Sequence, residues 1–370
     1  MDRATVDIYD RSAVTYAERR RADEPERART FAAAVPAGEL RVDLGCGPGL
    51  YLPYLGGPVV AADAAPAMVA EAQRRHTGVA GVACDLEALP FRRGSVAGIW
   101  ARKCLQHVTP EQVPLALAGL HRALRVCGVL DLTVFAGDGD RWTDGDDDFP
   151  GRYFALWRPD RLRDLIVGAG FEVEELAVAG DGERAPTDGQ DPVQSPAPIV
   201  ARARRARTLP DTVGAGMRLL VCGLNPSLYA ADAGVGFARP GNRFWPAARA
   251  AGLVTRDRDA DYALCHHGIG MTDLVKRATV AAAELSTAEY RAGLARVERL
   301  VRWLRPAAVC FVGLAGWRAA VDRGARAGRQ DRDLAGATVY VMPSTSGLNA
   351  RTSLDELTAH LRAAALASDG

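Results

Sequence analysis

Twice along its 370 residues this chain runs an apolar strand straight into a turn that lets backbone approach a ligand closely. Val42-Asp43-Leu44 passes into Gly45-Cys46-Gly47-Pro48-Gly49, and the apolar run 217–222 passes into Gly223-Leu224-Asn225-Pro226-Ser227. In both halves, strand-length apolar segments alternate with helical patterns, the signature of parallel sheets covered by helices. First-half strands are expected at 40–44, 59–62, 79–84, 96–100 and 129–135, with helices such as 65–75 and 110–124 between them. The second half repeats the alternation, with strands near 218–222, 307–312 and 338–342 and helices near 244–251, 286–304 and 352–367. Residues 180–198 read as a loop, and Ile199-Val200-Ala201 as a last strand before the basic run Arg202, Arg204, Arg205 and Arg207. The expected architecture is α/β with two doubly wound domains, 1–205 and 206–370, a division the length allows.

Charge separates the halves. Residues 1–200 carry 22 Lys and Arg against 30 Asp and Glu, a balance of −8, and residues 201–370 carry 24 against 15, a balance of +9. A basic half attracts phosphate backbones and an acidic half does not, although Arg-rich solvated surface produces the same count. The seven cysteines (Cys46, Cys84, Cys104, Cys127, Cys222, Cys265, Cys310) are scattered and never spaced C-x-x-C. That suits a reducing cytoplasm and free thiols packed as small hydrophobes. The adjacent His266 and His267 lack a partner at ligand spacing, so no metal is expected. No apolar run is long enough for a signal peptide or membrane span, and a cytoplasmic monomer is expected. The acidic stretch 138–148 reads as a solvated loop.

The first turn has the parts of a nucleoside pocket. Its glycines permit close approach, Asp43 lies at the strand's carboxyl edge, and Asp63 ends the next strand where a carboxylate can accept two ribose hydroxyls. Asp85 follows the third strand, placed to meet an adenine amine. A dinucleotide fingerprint would need glycine at position 50, which is Leu, so a nicotinamide cofactor is not expected. His107 has the side chain of a general base near neutrality, and equally of a histidine hydrogen-bonded in a loop.

Residues 5–204 resemble class I S-adenosylmethionine-dependent methyltransferases. The resemblance extends to Asp85-Leu86-Glu87-Ala88-Leu89-Pro90-Phe91, Leu105-Gln106-His107-Val108 and Ala169-Gly170-Phe171-Glu172-Val173. It implies that Asp43, Gly45, Cys46, Gly47 and Gly49 hold the methionine part of S-adenosyl-L-methionine and that Asp63 and Ala64 hold its ribose. Met68, Asp85 and Leu86 would enclose the adenine, and Tyr9 and Tyr16 would belong to an N-terminal helix over the cofactor. The methyl acceptor is left open. The segment Ala101-Arg102-Lys103-Cys104 holds no Asn-Pro-Pro-Tyr, which disfavours the usual DNA-base methyltransferases.

In the second half, a rigid amide at a strand's end can orient a neutral water, and a lone ring twelve residues on, Phe237, can stack on an extruded base. From Leu209 to about residue 363 the chain resembles the mismatch-specific uracil/thymine-DNA glycosylase family. Three blocks carry this. They are Gly223-Leu224-Asn225-Pro226 with Phe237 and Arg239-Pro240-Gly241-Asn242-Arg243-Phe244-Trp245; Gly270-Met271-Thr272-Asp273-Leu274-Val275 with Arg277 and Thr279; and Met342-Pro343-Ser344-Thr345-Ser346-Gly347-Leu348-Asn349. The family implies a uracil-DNA glycosylase-like three-layer α/β/α fold, double-stranded DNA as partner and no cofactor for this half. Asn225 would hold the attacking water. Gly223, Leu224, Pro226, Ser227, Phe237, Asn242, Ser344, Ser346, Gly347, Leu348 and Asn349 would contact base or DNA, with Phe237 stacking and Leu348 as the wedge. No Asp follows Asn225 in the water-activating position of the fastest uracil glycosylases, so slow turnover is expected. Neither Lys103 nor Lys276, the only lysines, is placed as a Schiff-base nucleophile. Ser227 stands where relatives have glycine, and an Asn-Pro pair also initiates ordinary turns. The rival reading makes methyl transfer the main activity and the second half a DNA-recognition module.

Overall fold

The computed structural model describes residues 1–145, 147–179 and 196–368. They fall into two compact units, Met1–Val167 with Phe171–Ala206, and Gly168–Gly170 with Arg207–Gly370. The loop expected over 180–198 lies outside the described residues up to 195, as does Asp146 of the acidic stretch.

The first unit holds β1 (Arg41–Leu44), β2 (Val59–Asp63), β3 (Ala80–Ala83), β4 (Val96–Arg102), β5 (Leu124–Ala136), β6 (Asp140–Trp142), β7 (Tyr153–Trp157), β8 (Phe171–Val178) and β9 (Pro198–Arg205). The order β3-β2-β1-β4-β5 is parallel throughout, β7 continues it beyond the end of β5, and β9 and β8 close that side antiparallel. Every residue of β1 and β4 is buried, as central parallel strands covered on both faces must be. The chain leaves β1 toward β2 and β3, then returns to β4 on β1's other side. The carboxyl ends of β1 and β4 therefore flank a topological switch point, where open α/β sheets leave a crevice.

Three local expectations need correcting. The helix expected over 110–124 is a 3-10 turn, Pro110–Gln112, followed by a helix Val113–Ala123. The strand ending at Ala201 runs on to Arg205. Ala201 and Ala203 are buried, and the intervening Arg202 forks onto buried Asp131 at 2.9 and 2.8 Å, so much of the basic run is sheet and not a solvated linker. The acidic stretch contains β6, paired with β7, and its Asp147 and Asp148 meet Arg152 and Arg20 at 2.6 and 2.7 Å.

The second unit holds β10 (Leu219–Gly223), β11 (Ile269–Asp273), β12 (Ala308–Val312), β13 (Gly328–Arg329) and β14 (Thr338–Met342), ordered β11-β10-β12-β14-β13 and parallel except for β13. Alternation along the strands builds two layers of packing. Leu219, Val221, Ala308 and Cys310 join Phe244, Trp245, Leu357 and Leu361 in one core, while Phe311 meets Trp317 on the other face at 4.9 Å. Helices Thr287–Leu304 and Leu354–Leu366 each begin with a capping box, Ser286 with Glu289 and Ser353 with Glu356. Here too the switch point lies beside the central strand. The turns after β10, β11, β12 and β14 open at the same sheet edge.

Candidate functional sites

At the first switch point lies a cavity of about 390 Å³. Of the residues expected to hold a cofactor, Asp43, Gly45, Cys46, Gly47, Asp63, Ala64, Met68 and Leu86 line it. Asp63 accepts the N–H of Gly47 at 2.8 Å and of Ala65 at 2.9 Å, which fixes its carboxylate under the glycine turn. Asp43 is buried, and its Oδ2 has no hydrogen-bond partner. Burial, aided by the charge of Asp63, pushes the Asp43 carboxyl up to about 8. An unpaired buried carboxylate oxygen is costly, so this one is suited to a cationic or donor ligand.

Gly45 has φ +68°, and a Cβ there would collide with Cys104, so the turn after β1 and the end of β4 meet without a side chain between them. Two expected residues stand elsewhere. A Cβ on Gly49 would lie 2.7 Å from Leu52 and 2.8 Å from His76, so this glycine serves packing behind the turn. Asp85 is absent from the cavity wall and pairs at 3.3 Å with the Met1 amine.

His107 lines the cavity and is 3 % exposed. Its Nδ1 lies 2.7 Å from the Tyr153 carbonyl oxygen, which can only accept, so the proton sits on Nδ1 and Nε2 is the acceptor. Tyr9 donates to that Nε2 at 3.0 Å, and Arg152 donates to the Tyr9 oxygen at 2.7 Å. Burial lowers the imidazole to about 4. The ring is thus neutral, with both nitrogens committed. It orders the wall as a hydrogen-bonded histidine, the other of its two sequence readings, and a base role would first require Tyr9 to move.

In the second unit, Asn225 Nδ2 donates to Thr279 Oγ1 at 2.8 Å, the Arg277 carbonyl at 3.0 Å and the Pro226 carbonyl at 3.3 Å. The segment after β11 runs along the Asn-Pro turn: Leu274 N–H bonds Gly223 O at 2.8 Å, Val275 bonds Leu224 at 2.9 Å and Thr279 bonds Pro226 at 3.2 Å. The first two sequence blocks are thereby brought together. With Nδ2 held, Asn225 presents Oδ1 as an oriented acceptor.

Phe237 is half-buried at φ +58°, a region where a bulky residue is an outlier, and one ring face stacks on Phe244 at 4.1 Å and 21°. Its edge comes within 3.4 Å of where a Cβ on Gly223 would stand, a position that the Asp273 carboxylate also crowds. Gly223 therefore makes room for both side chains. Asp273 is the functional candidate that sequence reasoning missed. Desolvation raises it to about 6, with Lys276 and Arg296 pulling the other way. The signal lay in its position at the carboxyl end of the strand beside β10, opposite Gly223.

Other expected contacts are framing residues. Ser227 caps the helix Leu228–Ala233, accepting Ala230 N–H at 3.1 Å. Leu224 packs toward Gly316, and Asn242 accepts Phe244 N–H at 2.9 Å. Asn349 donates to Ser344 O at 2.8 Å, while Ser344 and Ser346 accept the N–H groups of Ser346 and Leu348. Arg243 donates to the carbonyls of Thr352 and Asn349, both at 2.5 Å, and Gly347 lies against Gly241. This braced loop leaves Leu348 85 % exposed.

Fold and geometry together give an α/β protein of two units, with a cavity at the switch point of one and, in the other, the tethered Asn225 at a strand edge and a braced loop that exposes Leu348. Residues 42–128 match the family model described as a methyltransferase domain, and residues 210–366 match that of the uracil DNA glycosylase superfamily. The chain is a fusion of a methyltransferase domain and a uracil DNA glycosylase superfamily domain.

Among solved structures, it is similar to the CcbJ methyltransferase from Streptomyces caelestis (16 % identity, 54 % of this chain and 98 % of that one, TM-score 0.43). It is also similar to the Burkholderia thailandensis 1,6-didemethyltoxoflavin-N1-methyltransferase, solved with 1,6-didemethyltoxoflavin and S-adenosylhomocysteine (23 %, 55 % and 88 %, 0.39). A third is an S-adenosylmethionine-dependent methyltransferase from Methanosarcina mazei (16 %, 48 % and 97 %, 0.41).

Proposed function

We propose that the second unit hydrolyses the N-glycosidic bond of uracil in mismatched double-stranded DNA. The observation that carries this is the tethered Asn225, whose Oδ1 is left to hold a water at the switch point while Phe237 is fixed nearby with one face already stacked. As the bond breaks ahead of water attack, Asn225 would orient the nucleophile, and the ionised Asp273 would favour the cationic sugar. Base stacking on Phe237 contributes about 1–3 kcal/mol, and the Leu348 wedge offsets part of the few kcal/mol lost on unstacking. Exposed Arg239 and Arg351, on the loops beside the wedge, are suited to phosphates.

A monofunctional reaction is supported by Lys276. Its Nζ is bound to Asp211 at 2.8 Å within a buried network that includes Arg296 and Thr272, so it is not free to form a Schiff base. Duplexes bearing G·U, A·U, G·T or no lesion, incubated with excess protein and then cleaved with alkali, test the substrate. Cleavage is expected at G·U ahead of A·U. Equal cleavage at both would reject the mismatch preference, and binding without cleavage would favour the recognition-module reading.

For the first unit we propose S-adenosyl-L-methionine as cofactor and methyl transfer as activity. Asp43 Oδ2 would take the amino group, the Gly45–Gly47 turn the carboxyl end, Asp63 the ribose, and Met68 with Leu86 the adenine. The bound cofactor would supply an electrophilic methyl group; the chain's own groups hold and orient it.

A further inference from the structure

Beyond the Asp43–Asp63 end, the first unit's cavity has a second wall that the proposed cofactor does not need. The rings of His107 and Phe154 meet at 4.8 Å and 79°, and those of Phe154 and Phe135 at 5.9 Å and 39°. Lys103 Nζ stands 5.7 Å from the Phe135 centroid. Arg141 is directly opposite Phe154 in the β6–β7 ladder, so the two side chains leave the same face. All of these, with Gln106, line the cavity.

Two features of this wall are unexplained by the fold alone. Gln106 is 2 % exposed, yet its Oε1 has no hydrogen-bond partner. A buried acceptor of this kind is normally satisfied, so a donor from a ligand is the natural complement. The charges are also unevenly matched. Arg152 has Asp147 at 2.6 Å and Arg102 has both Asp23 and Glu24, at 2.5 and 2.9 Å, whereas Lys103 has only a share of Asp23, at 3.1 Å. Arg141 has no ion-pair partner among the described residues. Lys103 is held at φ +52°, a backbone conformation a lysine seldom adopts, and such outliers concentrate where a side chain must be aimed. Its pair with Asp23 is partly exposed, 35 % and 55 %, and such pairs exchange readily for another anion.

We propose that this wall is the acceptor site and that its ligand is a small aromatic acid. The ring lies against Phe135 and Phe154, the carboxylate sits between Lys103 and Arg141, and a ring hydroxyl or amine donates to Gln106 Oε1. This rests on reading the adjoining end of the cavity as the S-adenosyl-L-methionine site.

The full chain, saturated with S-adenosylhomocysteine, is titrated calorimetrically with hydroxybenzoates, aminobenzoates and indole carboxylates, each beside its neutral primary amide. At least one acid is expected to bind about tenfold or more tighter than its amide, the effect of one charge-assisted hydrogen bond. Arg141→Met and Lys103→Met should each remove most of that preference while S-adenosylhomocysteine affinity holds. Acids no tighter than their amides, or a preference that survives both substitutions, would overturn the proposal. If S-adenosylhomocysteine itself fails to bind, the cofactor reading falls. The acid–amide comparison is then made on the free chain, where the same preference is required.

Discussion

Thr279→Val isolates the tether on Asn225. The substitution keeps the β-branched shape at a site that is 4 % exposed and removes only the Oγ1 that accepts Asn225 Nδ2 at 2.8 Å. The carbonyls of Arg277 and Pro226 remain, so the amide is loosened and not freed. A neutral hydrogen bond of this kind is worth about 0.5–1.5 kcal/mol net, which corresponds to a roughly twofold to thirteenfold fall in the excision rate if the bond holds Asn225 in its reactive orientation. The readout is the single-turnover rate constant on a G·U duplex, with DNA affinity and melting temperature measured alongside. Thr279→Ser restores the oxygen and should recover most of the rate. A valine variant as fast as the parent, or a serine variant as slow as the valine one, would refute the idea that this bond orients the catalytic amide.

Other outcomes follow from the titrating and paired groups. Because burial raises Asp273 to about 6, its ionised form is lost as pH falls through that value, so single-turnover excision should drop between about pH 7 and 5. Asp273→Asn should be slower and flat over that range, and a parent profile already flat there would exclude the role. Asp43, raised to about 8 by burial and the charge of Asp63, must lose its proton to meet a cationic amine. Binding of S-adenosylhomocysteine at pH 7 should therefore release about one proton and tighten toward pH 8, as read by calorimetry in buffers of different ionisation enthalpy, and Asp43→Asn should abolish the release. Lys276→Met removes one of two cations from buried Asp211 and should cost about 1–3 kcal/mol of unfolding free energy without creating or removing any borohydride-trapped DNA adduct.

Much of this was legible because parallel sheets announce themselves in sequence. Strands such as β10 and β12 are short, wholly apolar runs ending in turns, and the switch points follow from the strand order. What tertiary pairing decides was not legible. The exposed Asp140-Arg141-Trp142 segment becomes a strand only because β7 lies beside it, and Arg202 is read as charge until Asp131 is found opposite. Asp273 sat in view within a quoted block, but its place depends on the empty side of Gly223 across the ladder. Ser227, which the sequence left as a departure from glycine, resolves into a helix cap with its hydroxyl occupied. Gly49 and Asp85 match their motif yet face a packing contact and an amine, because a motif specifies a turn and not the direction of each group in it.

In the proposed reaction of the second unit, Asn225 is the residue on which base excision depends. The most direct test compares the parent chain and Asn225→Ala on one labelled G·U duplex under single-turnover conditions, with affinity for the same duplex measured in parallel. Equal binding is expected, with alkali-labile sites formed by the parent and a loss of about a hundredfold or more in the variant, the scale seen when one preorganised polar group is removed from a reaction centre. Excision by Asn225→Ala at the parent's rate would contradict it.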